Sequence, residues 1–196
     1  MDGGFKRERC EGAVLHMALK NAEMIDKVLV YIAEGLDGYL GNLYEEPAGL
    51  AKVGGLGGEE GEVPNQMVVA LLNVEREGAM GISAGFQTEG KGFLQKMPPW
   101  YLNMYFVVAS VFEEKRYTDG IKMLSESISY LQQHPVFSPG IGKKFMIEPV
   151  TLSIQELTNV WSILGGRYYP SVVCKVRMLR FEGDDISRMV GSVRGK

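Results

Sequence analysis

The stretch Thr151-Leu-Ser-Ile-Gln-Glu-Leu-Thr-Asn-Val-Trp-Ser-Ile-Leu-Gly-Gly-Arg-Tyr-Tyr-Pro-Ser-Val-Val-Cys-Lys-Val-Arg-Met-Leu-Arg-Phe181 decides the fold, because its periodicity changes from helical to extended within one short segment. Ser153 is a good N-cap, and Glu156 three residues on completes a capping box, each side chain serving an orphan backbone N–H of the other. Leu152 and Leu157 flank the cap as a hydrophobic staple. Ile154, Leu157, Val160, Trp161 and Leu164 recur at helical spacing, so one face of this helix is apolar and Trp161 is expected in the core. Gly165 and Gly166 end the helix, and Pro170 cannot continue it. From Val173 to Phe181 the side chains alternate, with Cys174, Val176 and Met178 on one side and Val173, Lys175, Arg177 and Leu179 on the other.

Working outward, Met24 to Leu43 reads as a first helix on the stripe Ile25, Val28, Leu29, Ile32, Leu36, Leu40 and Leu43, fraying or ending around Gly38 to Gly41. Glu45 to Pro64 crowds Gly54, Gly55, Gly57, Gly58 and Gly61 together. It has neither a Gly-Lys-Ser/Thr ending nor a Gly-x-Gly-x-x-Gly after a strand, so it reads as a flexible acidic loop rather than a phosphate cradle. Met67-Val-Val-Ala-Leu-Leu72, within Gln66 to Val74, is an apolar run of strand length that implies a central strand. Gly78 to Met97 reads as a long hairpin or loop. Pro98 and Pro99 lead into Trp100 to Phe112, a β-branched and aromatic strand with both faces buried.

A second long helix follows, capped by Thr118 or Asp119, with Ile121, Leu124, Ile128 and Leu131 on one face. Pro135 ends it, and His134 in its last turn has a helix-terminal structural role. Ser138 to Lys144 is a loop, and Phe145 to Thr151 a short strand in which Pro149 favours an edge or a bulge. The order of elements, without regular strand-helix alternation, predicts an α+β fold: a small mixed or antiparallel sheet of about four strands flanked by about three helices. Residues 1–23 read as a poorly ordered extension, 24–181 as one domain, and 182–196 as a C-terminal tail.

The 196 residues suit one domain with a sizeable core. Hydrophobic residues at 45% and charged ones at 23% are ordinary for a globular chain. A net charge of −3 argues against nucleic acid as the main partner, and no apolar run is long enough to cross a membrane. Cys10 and Cys174 lack metal-ligand spacing, which suits synthesis in a reducing compartment. Only His16 and His134 are available as a base for a nucleophile, and the acidic groups Glu59, Glu60, Glu62, Asp184 and Asp185 lack a calcium-loop pattern. No catalytic, cofactor-binding or metal site is therefore assigned, and no enzymatic activity is expected.

The run Leu157 to Leu179 with its Asn-Val-Trp-Ser-Ile-Leu-Gly-Gly-Arg-Tyr-Tyr-Pro-Ser-Val-Val core resembles the tail-terminator (cap) family of extracellular phage-tail-like contractile injection systems, of antifeeding-prophage and virulence-cassette type. So do Pro98-Pro99-Trp100-Tyr101-Leu102-Asn103-Met104-Tyr105, Tyr117 with its helix, and His134-Pro135-Val136. Their order and spacing extend the resemblance over about residues 24 to 181.

The resemblance implies a structural protein that closes the distal end of the inner tube and contractile sheath and stops their growth. It also implies a homohexameric ring, with the tube protein and the sheath protein as partners. Such a protein is made in the bacterial cytoplasm and becomes part of the particle. A baseplate or tube-junction protein of the same particle, and an enzyme or small-molecule-binding domain without a recognisable motif, are the alternatives. Head-to-tail rings need interfaces that close. The candidates here are the last strand as an exposed edge, with Lys175, Arg177 and Arg180, the tail with Arg188 and Arg194, and Trp100 as either an anchor or a buried residue at the start of its strand.

Overall fold

The structure is a computed structural model that describes residues 24–56, 63–78, 86–89, 92–96, 100–138, 144–181 and 186–191. The expected extension at 1–23, with Cys10 and His16, lies outside the described residues, as do Glu59, Glu60, Glu62, Pro98, Pro99, Asp184, Asp185 and Arg194.

The fold is α+β. Among the described residues three α-helices occur: α1 (Met24–Tyr44), α2 (Tyr117–Gln133) and α3 (Ile154–Ile163). The strands are β1 (Ala51–Val53), β2 (Gln66–Arg76), β3 (Phe86–Glu89), β4 (Gly92–Lys96), β5 (Trp100–Val111), β6 (Val136–Phe137), β7 (Phe145–Pro149), β8 (Ser171–Phe181) and β9 (Ile186–Gly191). The expected sheet of about four strands is corrected to a six-stranded sheet, β1-β2-β5-β8-β7-β6, and a three-stranded one, β3-β4-β9. Of the strands added, β3 and β4 form a hairpin within the segment read as a hairpin or loop, while β1, β6 and β9 are set by their pairing partners rather than by a local pattern.

The chain divides into two compact units. The first comprises Ile25–Glu75 and Asn103–Arg177 and holds the three helices and most of the six-stranded sheet. In that sheet β1 runs parallel to β2 with Ala51 opposite Met67, and β7 runs antiparallel to β6 and β8 with Ile147 opposite Val176. Ser110 N–H donates to Pro170 C=O at 2.8 Å, so the end of β5 meets the start of β8. The second unit takes in Arg76–Leu102 and the chain from Met178 onward. There β4 lies between β3 and β9, with Gln95 opposite Arg188, so part of the segment expected as a tail is a strand.

Three local expectations are corrected. Helix α1 runs through Gly38 and Gly41 to Tyr44 because its buried residues, from Met24 to Leu40, hold the whole length against the core. Neither Thr118 nor Asp119 caps α2: a 3-10 turn over Glu114–Arg116 feeds straight into it, Tyr117 N–H donates to Glu114 C=O, and Asp119 pairs with Arg116 at 3.2 Å instead. The buried face of α2 is Gly120, Met123, Ser127, Tyr130 and Leu131, which leaves Ile128 46% exposed. At Gly120 the helix lies close to Ser110 and Phe112 and leaves no room for a side chain, while the buried Ser127 Oγ is satisfied by donating to Met123 C=O at 2.7 Å. His134 sits one residue beyond the helix as its C-cap, where its backbone N–H donates to Tyr130 C=O at 3.0 Å.

The capping box of α3 forms as its sequence requires. Glu156 N–H donates to Ser153 Oγ at 3.3 Å, and Ser153 N–H donates to Glu156 Oε2 at 2.8 Å. Gly165 (φ 98°) and Gly166 (φ 79°) then turn the chain out of the helix in the left-handed region. The Ser153 N–H, then its hydroxyl, hold the Glu156 carboxyl below the usual range. A carboxyl whose folded value is depressed contributes stability above its unfolded value and loses it as pH falls through the folded one. Amide exchange at Ser153 should therefore accelerate as pH drops below about 4.5, the ordinary glutamate value, after correction for intrinsic rates. Glu156→Gln should remove that dependence; an unchanged profile in the variant would refute the assignment. Ser153→Ala should cost about 1 kcal/mol.

Candidate functional site

The two faces of the six-stranded sheet are occupied differently. Helix α3 covers one of them: Trp161 packs with Val68 and Ala70 of β2, Val107, Ala109 and Val111 of β5, and Val173 of β8. Helix α2 lies on the other, where Gly120 approaches Ser110 and Phe112, and α1 lies beside it through Tyr31–Phe137 and Tyr39–Tyr130 ring contacts. Strand β8 is an interior strand between β5 and β7, which corrects the expectation of an exposed edge; the edges are β1 and β6. Sequence alternation placed the side chains of β8, but neighbours in a sheet are set by long-range pairing that alternation does not encode.

On the α3 side, Lys175 and Arg177 follow Val173 at every second position and emerge on the part of the face that carries charge. Lys175 Nζ lies 3.7 Å from Glu75 Oε1 and 5.2 Å from the centre of the Tyr105 ring. The Tyr105 O–H donates to the same Glu75 oxygen at 2.5 Å. That hydrogen bond, more than burial, pushes the Tyr105 phenol up, and interaction with the phenol oxygen in turn raises Lys175. Arg177 Nε stands 3.5 Å from Glu148 Oε1. Four strands thus contribute to one strip of paired charges across β2, β5, β8 and β7. The Arg177–Glu148 pair, exposed on both sides, is worth little to stability, on the order of 0–1 kcal/mol, and can exchange partners on contact with another surface, whereas the Lys175 side chain is more sheltered, 16% exposed against 45% for Glu75.

On the opposite face a cavity of about 310 Å³ opens between α2 and the strands β7 and β8, lined by apolar groups of Ile128, Leu131, Ile147 and Val172 and by the free thiol of Cys174. Burial pushes that thiol up to about 12, so it is protonated at neutral pH and is not a nucleophile. Among the described residues no group of three His, Cys, Asp or Glu side chains stands close enough to hold a metal ion.

The structure brings together two of the expected interface residues, Lys175 and Arg177. Trp100, the first residue of β5, is 60% exposed rather than buried, and belongs to the second unit. Arg180 lies in β8 and Arg188 in β9, both in that unit; Arg194 lies outside the described residues. Glu75, Tyr105 and Glu148 are not among the interface candidates that the sequence offers. The one signal for them is register: Glu148 stands opposite Lys175, and a charge facing a charge across strands is informative only once the pairing is known.

No curated protein matches the chain. Solved structures resemble it, among them the following two. The sheath/tube terminator of an extracellular contractile injection system, PVC, in its extended state, shares 14% identity at a TM-score of 0.57 over 88% of this chain and 61% of its own. The anti-feeding prophage cap, a tube-terminating cap, shares 13% identity at a TM-score of 0.60 over 85% of this chain and 57% of its own. The chain spans about three fifths of the length of these relatives, and at such identities the likeness is one of fold. The family model of the Pvc16 N-terminal domain matches residues 39–194, most of the sequence and both compact units, and the chain accordingly belongs to the Pvc16 N-terminal domain family.

Proposed function

We propose that this chain is a structural tail terminator, which closes the distal end of the inner tube and contractile sheath of a phage-tail-like injection particle and stops their growth. The family match over 39–194 carries the reading, and the fold likeness to two terminators over at least 85% of the chain supports it. Its partners are copies of itself in a ring of six, the tube protein and the sheath protein, with 24–181 as the terminator domain. It is synthesised in the bacterial cytoplasm and ends as part of the particle. Neither nucleic acid nor membrane is a partner: the net charge is −3, and among the described residues no helix is long and apolar enough to cross a membrane. The role is mechanical, without catalysis, cofactor or metal.

Contacts between copies and with the end rings use the charged strip of Lys175 and Arg177, exposed Trp100, and the arginines Arg180, Arg188 and Arg194. Charges already paired within the chain favour specificity over affinity, since partners must offer equivalent acceptors or leave a charge unpaired. The decisive experiment measures the mass of the protein alone and mixed with tube and sheath subunits, followed by imaging. A ring of six at tube ends and tubes of uniform length are expected. Lys175→Glu with Arg177→Glu should lower end occupancy at least tenfold while leaving the melting temperature within a few degrees. A protein that stays monomeric with both subunits, or that sits at the baseplate end, would overturn the reading.

A further inference from the structure

The two edges of the six-stranded sheet are β1 and β6, and an open strand edge is a template on which another chain can pair. Met67 N–H donates to Leu50 C=O at 2.8 Å and Gly54 N–H to Val69 C=O at 3.1 Å. Residues 50 and 54 therefore direct backbone groups toward β2. By alternation along the strand, Gly49, Ala51 and Val53 direct theirs outward.

Two of these outward donors are already engaged. Asp37, projecting from α1, accepts the Ala51 N–H through Oδ1 at 2.9 Å, and the Gly49 N–H through Oδ1 at 2.9 Å and Oδ2 at 3.1 Å. Gly49 has φ +122°, and a Cβ there would meet nothing, so the conformation that converges both N–H groups on one carboxylate is what demands glycine. The Gln66 amide, oriented to satisfy both neighbours, donates to Gly49 C=O at 3.2 Å and accepts from Lys52 Nζ at 2.6 Å. At the other edge β6 has only two residues, and the Pro135 before it lacks an N–H and spends its C=O on Ile147 N–H at 2.8 Å. One edge is short by sequence; the other is occupied by a side chain.

We propose that Asp37 is an edge guard, whose carboxylate holds the outward N–H groups of β1 and keeps the six-stranded sheet from being extended by a strand of a second copy. The inference rests on the sheet alone and stands whether or not the chain caps a tube. The bland alternative is a loop anchor, which would affect stability and leave association alone.

Sedimentation of the full chain separates the two. Asp37→Ala should form species heavier than the parent's own assembly at concentrations at least tenfold lower than the parent does. Adding Val53→Pro removes another outward N–H, as proline does on an edge strand, and should abolish that association without restoring the melting temperature. Asp37→Asn keeps one acceptor and should give a smaller gain. If Asp37→Ala does not fold, the asparagine variant with and without Val53→Pro makes the same comparison. Variants that melt lower yet keep the parent's mass would overturn the proposal, as would association that Val53→Pro leaves intact.

Discussion

Replacing Trp161 by Ala should destabilise the fold by about 3–5 kcal/mol, the range for removing a large buried aromatic. Trp161 is 3% exposed and the one buried residue of α3, so the ten-residue helix is held to the sheet largely through it. A helix that short has no stability of its own. The indole lies in one buried cluster with Val68, Ala70, Val107, Ala109, Val111 and Val173 of the sheet, and its ring centre is 5.5 and 5.8 Å from those of Tyr168 and Tyr169 in T-shaped contacts. Its Nε1–H is buried with no acceptor among the described residues, and an unpaired buried donor costs roughly 1–3 kcal/mol. Trp161→Phe keeps most of the packing and removes that donor, so it should lie within about 1 kcal/mol of the parent. Chemical denaturation of both variants checks this. A phenylalanine variant as unstable as the alanine one would mean that the indole N–H is satisfied after all.

The residues around Trp161 also mark how far the sequence could be read. Ser153, Glu156, Gly165 and Gly166 act within a few residues of one another, and each has the geometry its chemistry predicts. The strands β2, β5, β7 and β8 were legible for the same reason, as runs of apolar or alternating side chains. Three kinds of feature were not. Strand β1 is three residues beside Gly-rich sequence that has no extended pattern of its own; the hairpin of β3 and β4 is one of the two forms that Gly78 to Met97 suggests, but its pairing with β9, far along the chain, was not visible. The order of strands, which puts β8 in the interior, follows from long-range pairing and leaves no local trace. The buried face of α2 was misplaced by apolarity, because Ile121, Leu124 and Ile128 outweigh Gly120 and Ser127 in any hydrophobic count, while the close approach to β5 selects for small size. The candidate surface divides in the same way: Lys175 and Arg177 are visible as alternating charges, whereas Glu75, Tyr105 and Glu148 become part of the strip only through register.

That closeness at α2 supports a prediction opposite in sign to helix propensity. Glycine in a helix interior is about 0.8–1.0 kcal/mol worse than alanine, so Gly120→Ala ought to stabilise α2 if propensity decides. A Cβ at Gly120, however, would lie 2.5 Å from Ser110 Oγ and 2.9 Å from two carbons of the Phe112 ring, and Ser110 and Phe112 are themselves buried. Neither neighbour can step aside into solvent, so the helix must lift or the ring must turn off its rotamer. Overpacking of this kind costs about 1–3 kcal/mol, which exceeds the propensity gain. Gly120→Ala should therefore be net destabilising by about 1–2 kcal/mol, and Gly120→Leu should fail to reach the native state. Gly38 supplies the internal comparison: it lies in α1, is exposed, and a Cβ there would meet nothing within 4 Å. Gly38→Ala should stabilise by up to about 1 kcal/mol. Opposite shifts in the two midpoints of urea unfolding are the expected result. Equal shifts of the same sign would mean that α2 stands off the sheet in solution, and that the small residues on its buried face are there for another reason.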